Sequence, residues 1–270
     1  MKVVSFNVNS LRIRLHQLEA IINTHQPEFI GLQETKVQDK DFPLEAIKEL
    51  GYHAIFHGQK THYGVALLSK SEPVSFQKGF ASDTDESQRR LVLGTYNVNG
   101  QEIVVANGYF PQGESQDHPT KYPNKRDFYK NLTDLLAQEY KPEQKVIVMG
   151  DLNISPEDSD IGIGDDNRKR WLRTKKCSFL PEEREWLETL KSWGLTDTFR
   201  HLNPDENQIF SWFDYRSKGF EREPKRGLRI DHILVTDSLL EACTDTGVDY
   251  DVRGMEKPSD HCPVWSEFKL

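Results

Sequence analysis

The chain has 270 residues, 36% hydrophobic and 10% aromatic, with 35 basic and 43 acidic side chains for a net charge of -8. That is enough apolar material for one large core or two smaller ones, while a mean hydropathy of -0.69 and the lack of a long apolar run argue against a bilayer-spanning segment. Cys177, Cys243 and Cys262 are far apart and form no CxxC, so reduced thiols in a cytoplasmic protein are expected, not a disulfide framework or a zinc site.

Taken in chain order, MKVVSFNVNS has neither the apolar core nor the cleavage site of a signal peptide, and residues 3–8 read as a first strand. Leu11, Leu15, Leu18 and Ile22 follow at helical spacing, and Pro27 ends that pattern. A strand is predicted over 29–35, a short helix over 43–50, and strands around 52–56, 65–68, 91–98 and 103–109. Phe128, Leu132, Leu135 and Leu136 mark a helix, and a strand over 146–149 comes next. Residues 155–180 are polar and read as a long surface excursion. A helix is predicted over 182–193, then strands over 230–235, 247–252 and 264–268. Strands and helices alternate without a repeat or a low-complexity linker, which indicates a layered α/β or α+β protein.

One pattern recurs: a short apolar strand ends in polar residues. The first strand ends in Asn7 and Asn9, the second in Gln33 and Glu34, and that at 103–109 in Asn107 and Tyr109. VIVMGDLNISP delivers Asp151 and Asn153, which share a face if the strand continues. Arg229-Ile230-Asp231 opens one late strand and Ser259-Asp260-His261 precedes the last. If these ends converge, they form a pocket of carboxylates, amides, one tyrosine and one histidine. Oxygen-rich ligands with few carboxylates suit Mg²⁺ or Mn²⁺, and an Asp231-oriented His261 suits proton handling near neutral pH. Together these parts suit hydrolysis of a phosphate ester. Each is also explicable alone as a turn residue or a satisfied core group.

FNVNSLR, LQETK, GDLNISP, GLRIDHIL and PSDHCPVW resemble the endonuclease/exonuclease/phosphatase superfamily. THYGVALLSK, NGYFPQGE, NRKRWLRT and FSWFDYRSKGF are similar to its exonuclease III (AP endonuclease) family, and the resemblance runs along the whole chain. It implies an α/β four-layer sandwich, with two packed, mainly antiparallel or mixed β-sheets flanked by helices. It also implies a single domain over 1–270, since the site draws on residues from 7 to 261. The expected activity is hydrolysis of duplex DNA 5′ to abasic sites, with 3′→5′ exonuclease and 3′-phosphatase activity.

The resemblance assigns Glu34 as principal metal ligand, with Asn7 beside it and Asp260 in support. It assigns Asp151 to align or deprotonate the attacking water or to protonate the leaving oxygen, and Asn153 to orient that group. Tyr109 contacts the phosphate, and His261 paired with Asp231 supplies positive charge to a phosphoryl oxygen. Ser10 and Cys262 stand where many relatives have Gly and Ala, and 221–227 is slightly longer than in some.

For specificity, the resemblance implies a small apolar pocket of Trp212, Phe213 and Leu228 that accepts a base-free sugar. Adjacent aromatics also suit an ordinary core. Gln112 is expected to enter the gap in the duplex. The acidic net charge argues weakly against a polyanion, yet charge acts within ~8–10 Å. RKRWLRTKK at 168–176 holds six basic residues in nine. Arg90, Lys121, Arg168 and Arg170 are therefore expected to bind backbone phosphates. The expected partner is duplex DNA with abasic sites or blocked 3′ ends, bound by a monomer without membrane contact. Two alternatives stay open: a phosphoinositide- or lipid-type phosphoesterase of the same superfamily, and a non-catalytic DNA-binding protein on this scaffold.

Overall fold

The computed structural model describes residues 1–270. The first sheet is built from β1 (Lys2–Asn7), β2 (Phe29–Gln33), β3 (His53–His57) and β4 (Val65–Ser69). The second takes β5 (Ser75–Lys78), β6 (Leu91–Val98), β7 (Gln101–Tyr109), β8 (Lys145–Asp151), β9 (Thr196–Asp197) and β10 (Asp231–Val235). The chain then returns to the first sheet with β11 (Cys243–Val248) and β12 (Val264–Phe268). Each sheet has six strands, in the orders β11-β12-β1-β2-β4-β3 and β5-β6-β7-β8-β10-β9. Only β1/β2 and β7/β8 pair in parallel, so the sheets are mixed and mainly antiparallel.

Strand side chains alternate between faces, and here both faces are buried. Val3, Phe29 and Leu67 of the first sheet meet Val105, Ile147, Met149 and Ile233 of the second. The intervening residues pack outward on helices. Val104, Val146 and Val148 lie under α3 (Lys121–Glu139) and α5 (Pro181–Lys191), through Phe128, Leu132, Leu136 and Leu187. Val4, Phe6, Ile30 and Leu32 lie under α1 (Leu15–His25) and α2 (Leu44–Glu49), through Leu18, Ile21 and Ile47. The result is the four-layer α/β sandwich expected.

The sheets approach closely at Gly31. A Cβ there would stand 2.6 Å from Asn107 Oδ1 and 2.9 Å from Met149 Cε, both on the opposite sheet. Glycine is required because there is no room for more. Beside it, Gln33 Nε2 donates to Asn107 Oδ1 at 2.6 Å and to Ser5 Oγ at 3.1 Å. Gln33 and Asn107 are fully buried here. They form a polar plug between the sheets, not part of an open pocket as their strand-end positions suggested.

The helices stop and start where their residues dictate. Pro123 lies in the first turn of α3, where its missing N–H costs nothing, and Pro181 opens α5. The strand predicted over 247–252 ends at Val248. Asp249 Oδ1 accepts from Val252 N at 3.0 Å and caps α8 (Tyr250–Arg253); α7 (Asp237–Leu240) is equally short. Within the expected surface excursion, residues Asp165–Arg173 form α4. Its only buried side chain is Trp171, so it carries little apolar periodicity to read. Besides α7 and the two-residue strand β9, two further short elements are not expected. One is the exposed edge strand β5, and the other is α6 (Thr198–Leu202), capped by Asp197.

Candidate active site

The pleat and the register together explain the convergence. Inward positions run Val3, Ser5, Asn7 in β1, and Ile147, Met149, Asp151 in β8. Each strand's last inward residue therefore opens at one rim of the gap between the sheets. Tyr109 stands opposite Asp151 across the parallel β7/β8 pair, and Asp231 stands opposite Asp151 across β8/β10. Asn7 lies opposite Gln33 across β1/β2, and the next residue, Glu34, leaves the strand at φ 50°.

Glu34, Asp151 and His261 each place a donor atom within 4.8 Å of the others. Asn7 Nδ2 donates to Glu34 Oε1 and to Asp151 Oδ2, each at 2.9 Å. His261 Nδ1 donates to Asp231 Oδ2 at 2.8 Å, and its Nε2 lies 3.7 Å from Asp151 Oδ2. Ser211 Oγ donates to Asp231 Oδ2 at 2.7 Å and accepts from the N–H groups of Ile230 and Asp231. Ser259 Oγ donates to Asn7 O at 2.7 Å and accepts from His261 N at 3.2 Å. Ser211 thus holds the carboxylate that orients the imidazole, and Ser259 ties the His261 backbone to the end of β1.

The charges in this rim are strongly shifted. Burial pushes the Asp151 carboxyl up to about 7, with Asp231 adding to the effect while His261 and Asn7 oppose it. Burial disfavours the His261 imidazolium, but Asp231 and Asp151 outweigh it and push its pKa up to about 10. Burial, then Glu34 and Asp151, raise Tyr109 well above the usual phenol value, so its hydroxyl stays a donor. The oxygen-rich donor set and the unfavourably buried Asp151 charge both fit a small divalent cation.

Asn153 reaches the rim by another route than the strand pleat. β8 ends at Asp151, and Asn153 sits in a left-handed turn at φ 54°. Its N–H donates to Asp151 Oδ1 at 3.1 Å and its Nδ2 to Phe110 O at 2.9 Å. Asp260 falls outside the trio. Its Oδ1 accepts from Asn9 Nδ2 at 2.9 Å and its Oδ2 from Trp212 Nε1 at 3.0 Å. Lys36, not singled out in the sequence, links this pair to the rim through Asn9 Oδ1 at 2.7 Å and Glu34 Oε2 at 3.2 Å.

A cavity of about 250 Å³ opens beside the trio. Trp212, Leu228, Ile230 and Trp171 supply its apolar wall, and Gln112 lies at its edge. Phe213 does not reach it. That ring is fully buried against Phe210 and Cys262 and contacts Phe220 and Tyr250 edge-on, which corrects its assignment to the pocket. Trp171 and Ile230 are additions that sequence reasoning missed. Trp171 stacks on Phe179 with ring centroids 5.6 Å apart and carries Lys176 Nζ 3.9 Å from its centroid.

The basic residues divide. Arg90 is held between the Tyr63 and Tyr109 rings, 4.4 and 4.6 Å from their centroids, and donates to Tyr109 O. It braces Tyr109 as much as it faces solvent. Lys121 is exposed and paired with Glu114, and Arg168 is paired with Asp158 at 2.6 Å. Both lie outside the cavity wall. Arg170 is exposed on α4.

No helix is long and apolar enough to cross a membrane. The sequence profile of the Endonuclease/Exonuclease/phosphatase family matches residues 4–261. An exodeoxyribonuclease III of Haemophilus influenzae is 57% identical over 269 residues, covering 100% of both chains. Among solved structures, a 3′ phosphatase from Neisseria bound to a product DNA hairpin has a TM-score of 0.89 at 36% identity. An AP endonuclease from Archaeoglobus fulgidus has a TM-score of 0.90 at 33% identity. Each covers 100% of this chain and of its own. On this fold, this rim of polar strand ends and these relatives, the chain belongs to the endonuclease/exonuclease/phosphatase family and, within it, to the hydrolytic nucleases of DNA repair.

Proposed function

We propose that residues 1–270 form a single domain that incises duplex DNA 5′ to abasic sites and removes nucleotides and phosphates from 3′ ends. The observation that carries this reading is the approach of Glu34, Asp151 and His261 to within 4.8 Å at the seam of the two sheets. The activities described for the similar exodeoxyribonuclease, AP endonuclease and 3′ phosphatase support it. The proposed ion is Mg²⁺ or Mn²⁺, with Glu34 as principal ligand and Asp151 facing the same point. When bound, it would neutralise charge accumulating on the phosphate oxygens.

The side chains around it do the rest. Asn7 fixes both carboxylates through its amide. Asp151, buried beside Asn7 and His261, takes a proton from the attacking water or gives one to the leaving 3′ oxygen. His261, held by Asp231, presents Nε2–H to a phosphoryl oxygen, and Tyr109 adds an O–H donor where charge develops. Asn153 holds Asp151 through its backbone N–H. Asp260 orients the Trp212 ring.

Trp212, Leu228, Ile230 and Trp171 offer an apolar wall to a flipped, base-free sugar, which is easier to extrude than a stacked nucleotide. Gln112 fills the gap left in the duplex, and Arg90, Lys121, Arg168 and Arg170 face backbone phosphates. The chain is proposed to act as a monomer in the cytoplasm, where its three buried free cysteines stay reduced. The test is product analysis on a duplex carrying one abasic site, with Mg²⁺, Mn²⁺ or EDTA. The expected products are an upstream 3′ hydroxyl and a downstream 5′ sugar phosphate, formed only with metal. An uncut abasic duplex would end this reading.

A further inference from the structure

A second cavity, of about 120 Å³, adjoins the first, and Trp171 and Trp212 line both. Arg170 of α4 and Arg222 and Arg226 of the loop after Trp212 contribute to its lining. None of these arginines meets a carboxylate. Arg170 Nη2 donates to Asn167 Oδ1 at 2.8 Å and Arg222 Nε to Ser217 O at 3.1 Å. The Arg226 guanidinium stands over Gly164, 3.6 Å from where a Cβ would be. The one acid in the lining, Asp214, accepts from Arg216 N at 3.1 Å. Three arginines around one concave wall, none paired with a carboxylate, offer a site to an anion.

The position of this cavity identifies the anion. On the reading proposed above, the scissile phosphate lies at the trio, and the sugar on its 3′ side enters the apolar cavity. The next phosphate along that strand is one sugar further on, and the tryptophans that line both cavities put the second cavity next to the one that takes the sugar. We propose that Arg170, Arg222 and Arg226 bind the backbone phosphate 3′ to the abasic sugar, and so favour internal incision over chemistry at strand ends. A strand that terminates at the site has no phosphate there to bind. The inference rests on the proposed function, and its test separates the two.

The experiment compares wild type with Arg222→Gln/Arg226→Gln, both exposed loop side chains, on two substrates. One is a duplex with an internal abasic site, and the other is a duplex end carrying a 3′ phosphate. The double variant is expected to lose roughly tenfold or more in kcat/KM on the abasic duplex and to keep its 3′-phosphatase activity. Its log Kd against log salt should flatten by about 0.9. Replacing the phosphate 3′ to the abasic sugar with a methylphosphonate should impair wild type and leave the double variant no worse. Equal losses on both substrates, or none on either, would overturn the inference. A wild type that does not incise the abasic duplex would instead overturn the function on which it rests.

Discussion

The Asn7 amide of the first sheet donates to the Asp151 carboxylate of the second across 2.9 Å of space and 144 positions of sequence. The same nitrogen donates to Glu34, so one side chain aims both acids. Asn7→Ala frees them to separate or to repel. The expected result is a loss of about 10²–10³ in kcat and a shift of the Mg²⁺ titration to higher concentration. A change in kcat alone would show that Asn7 acts on the phosphate and not on the carboxylates.

Asp151→Asn is expected to reduce turnover by ~10²–10⁴ while changing abasic DNA affinity little. It should also stabilise the metal-free protein at neutral pH. The folded Asp151 carboxyl titrates at about 7, above its unfolded value of ~4. A raised carboxyl pKa favours the folded state while the group is protonated, and that contribution is lost as pH rises through about 7. Urea unfolding in EDTA should therefore show the variant's advantage over wild type widening between pH 5 and pH 8. A gap that narrows over this range would contradict the burial argument.

Glu34 lies at the entrance of the seam, with Lys36 3.2 Å away. Glu34→Ala removes an exposed-side carboxylate without opening a core cavity. Activity should fall by ~10²-fold or more and respond only at much higher Mg²⁺, with thermal stability nearly unchanged. An unaltered Mg²⁺ titration would remove Glu34 from the ligand set.

The neighbours Trp212 and Phe213 should separate cleanly. Trp212→Ala is expected to impair abasic incision more than 3′-phosphate removal, because only the former fills the apolar cavity. Phe213→Ala should cost about 3–5 kcal/mol of stability and spare the ratio of the two activities in whatever protein remains folded. A ratio shifted equally by both substitutions would return Phe213 to the pocket.

A buried cluster behind the site predicts acid sensitivity. Burial works against the Asp197 charge, but Arg229 at 2.8 Å and His232 hold its carboxyl well below the usual range. A depressed folded pKa stabilises above the unfolded value of ~4 and is lost as pH falls below it. Asp197→Asn should cost ~3–5 kcal/mol at pH 7, measured by urea unfolding, and the difference should shrink toward pH 3.

Much of the site was legible because strand pleating is a sequence-level rule. Asn7 and Asp151 end inward-facing rows whose earlier members are apolar or small, Tyr109 ends a row that passes through Val105 and Asn107, and Asp231 begins one that continues in Ile233 and Val235; only the register had to come from the structure. The rule failed where the backbone leaves the strand. Asn153 comes to the rim through a left-handed turn, so its alignment with Asp151 was expected for the wrong reason. Trp212 and Phe213 lie in an extended segment whose residue 212 bridges to Leu228 and His261. Alternation therefore sends one ring to the cavity and the other to the core, and no spacing argument says which. Trp171 was hidden on a helix with no other buried residue. Ser211 and Ser259 were invisible as positioners because a hydroxyl reveals its role only through what stands beside it.

At Gly31 the two sheets stand too close for a Cβ to fit beside Asn107 and Met149. Since Asn7 and Glu34 ride on one sheet and Asp151, Tyr109 and Asp231 on the other, that spacing is also the jaw width of the reaction centre. A single methyl at residue 31 would act as a shim, prising the jaws open from below and drawing Asn7 and Glu34 away from Asp151 without altering any of the three.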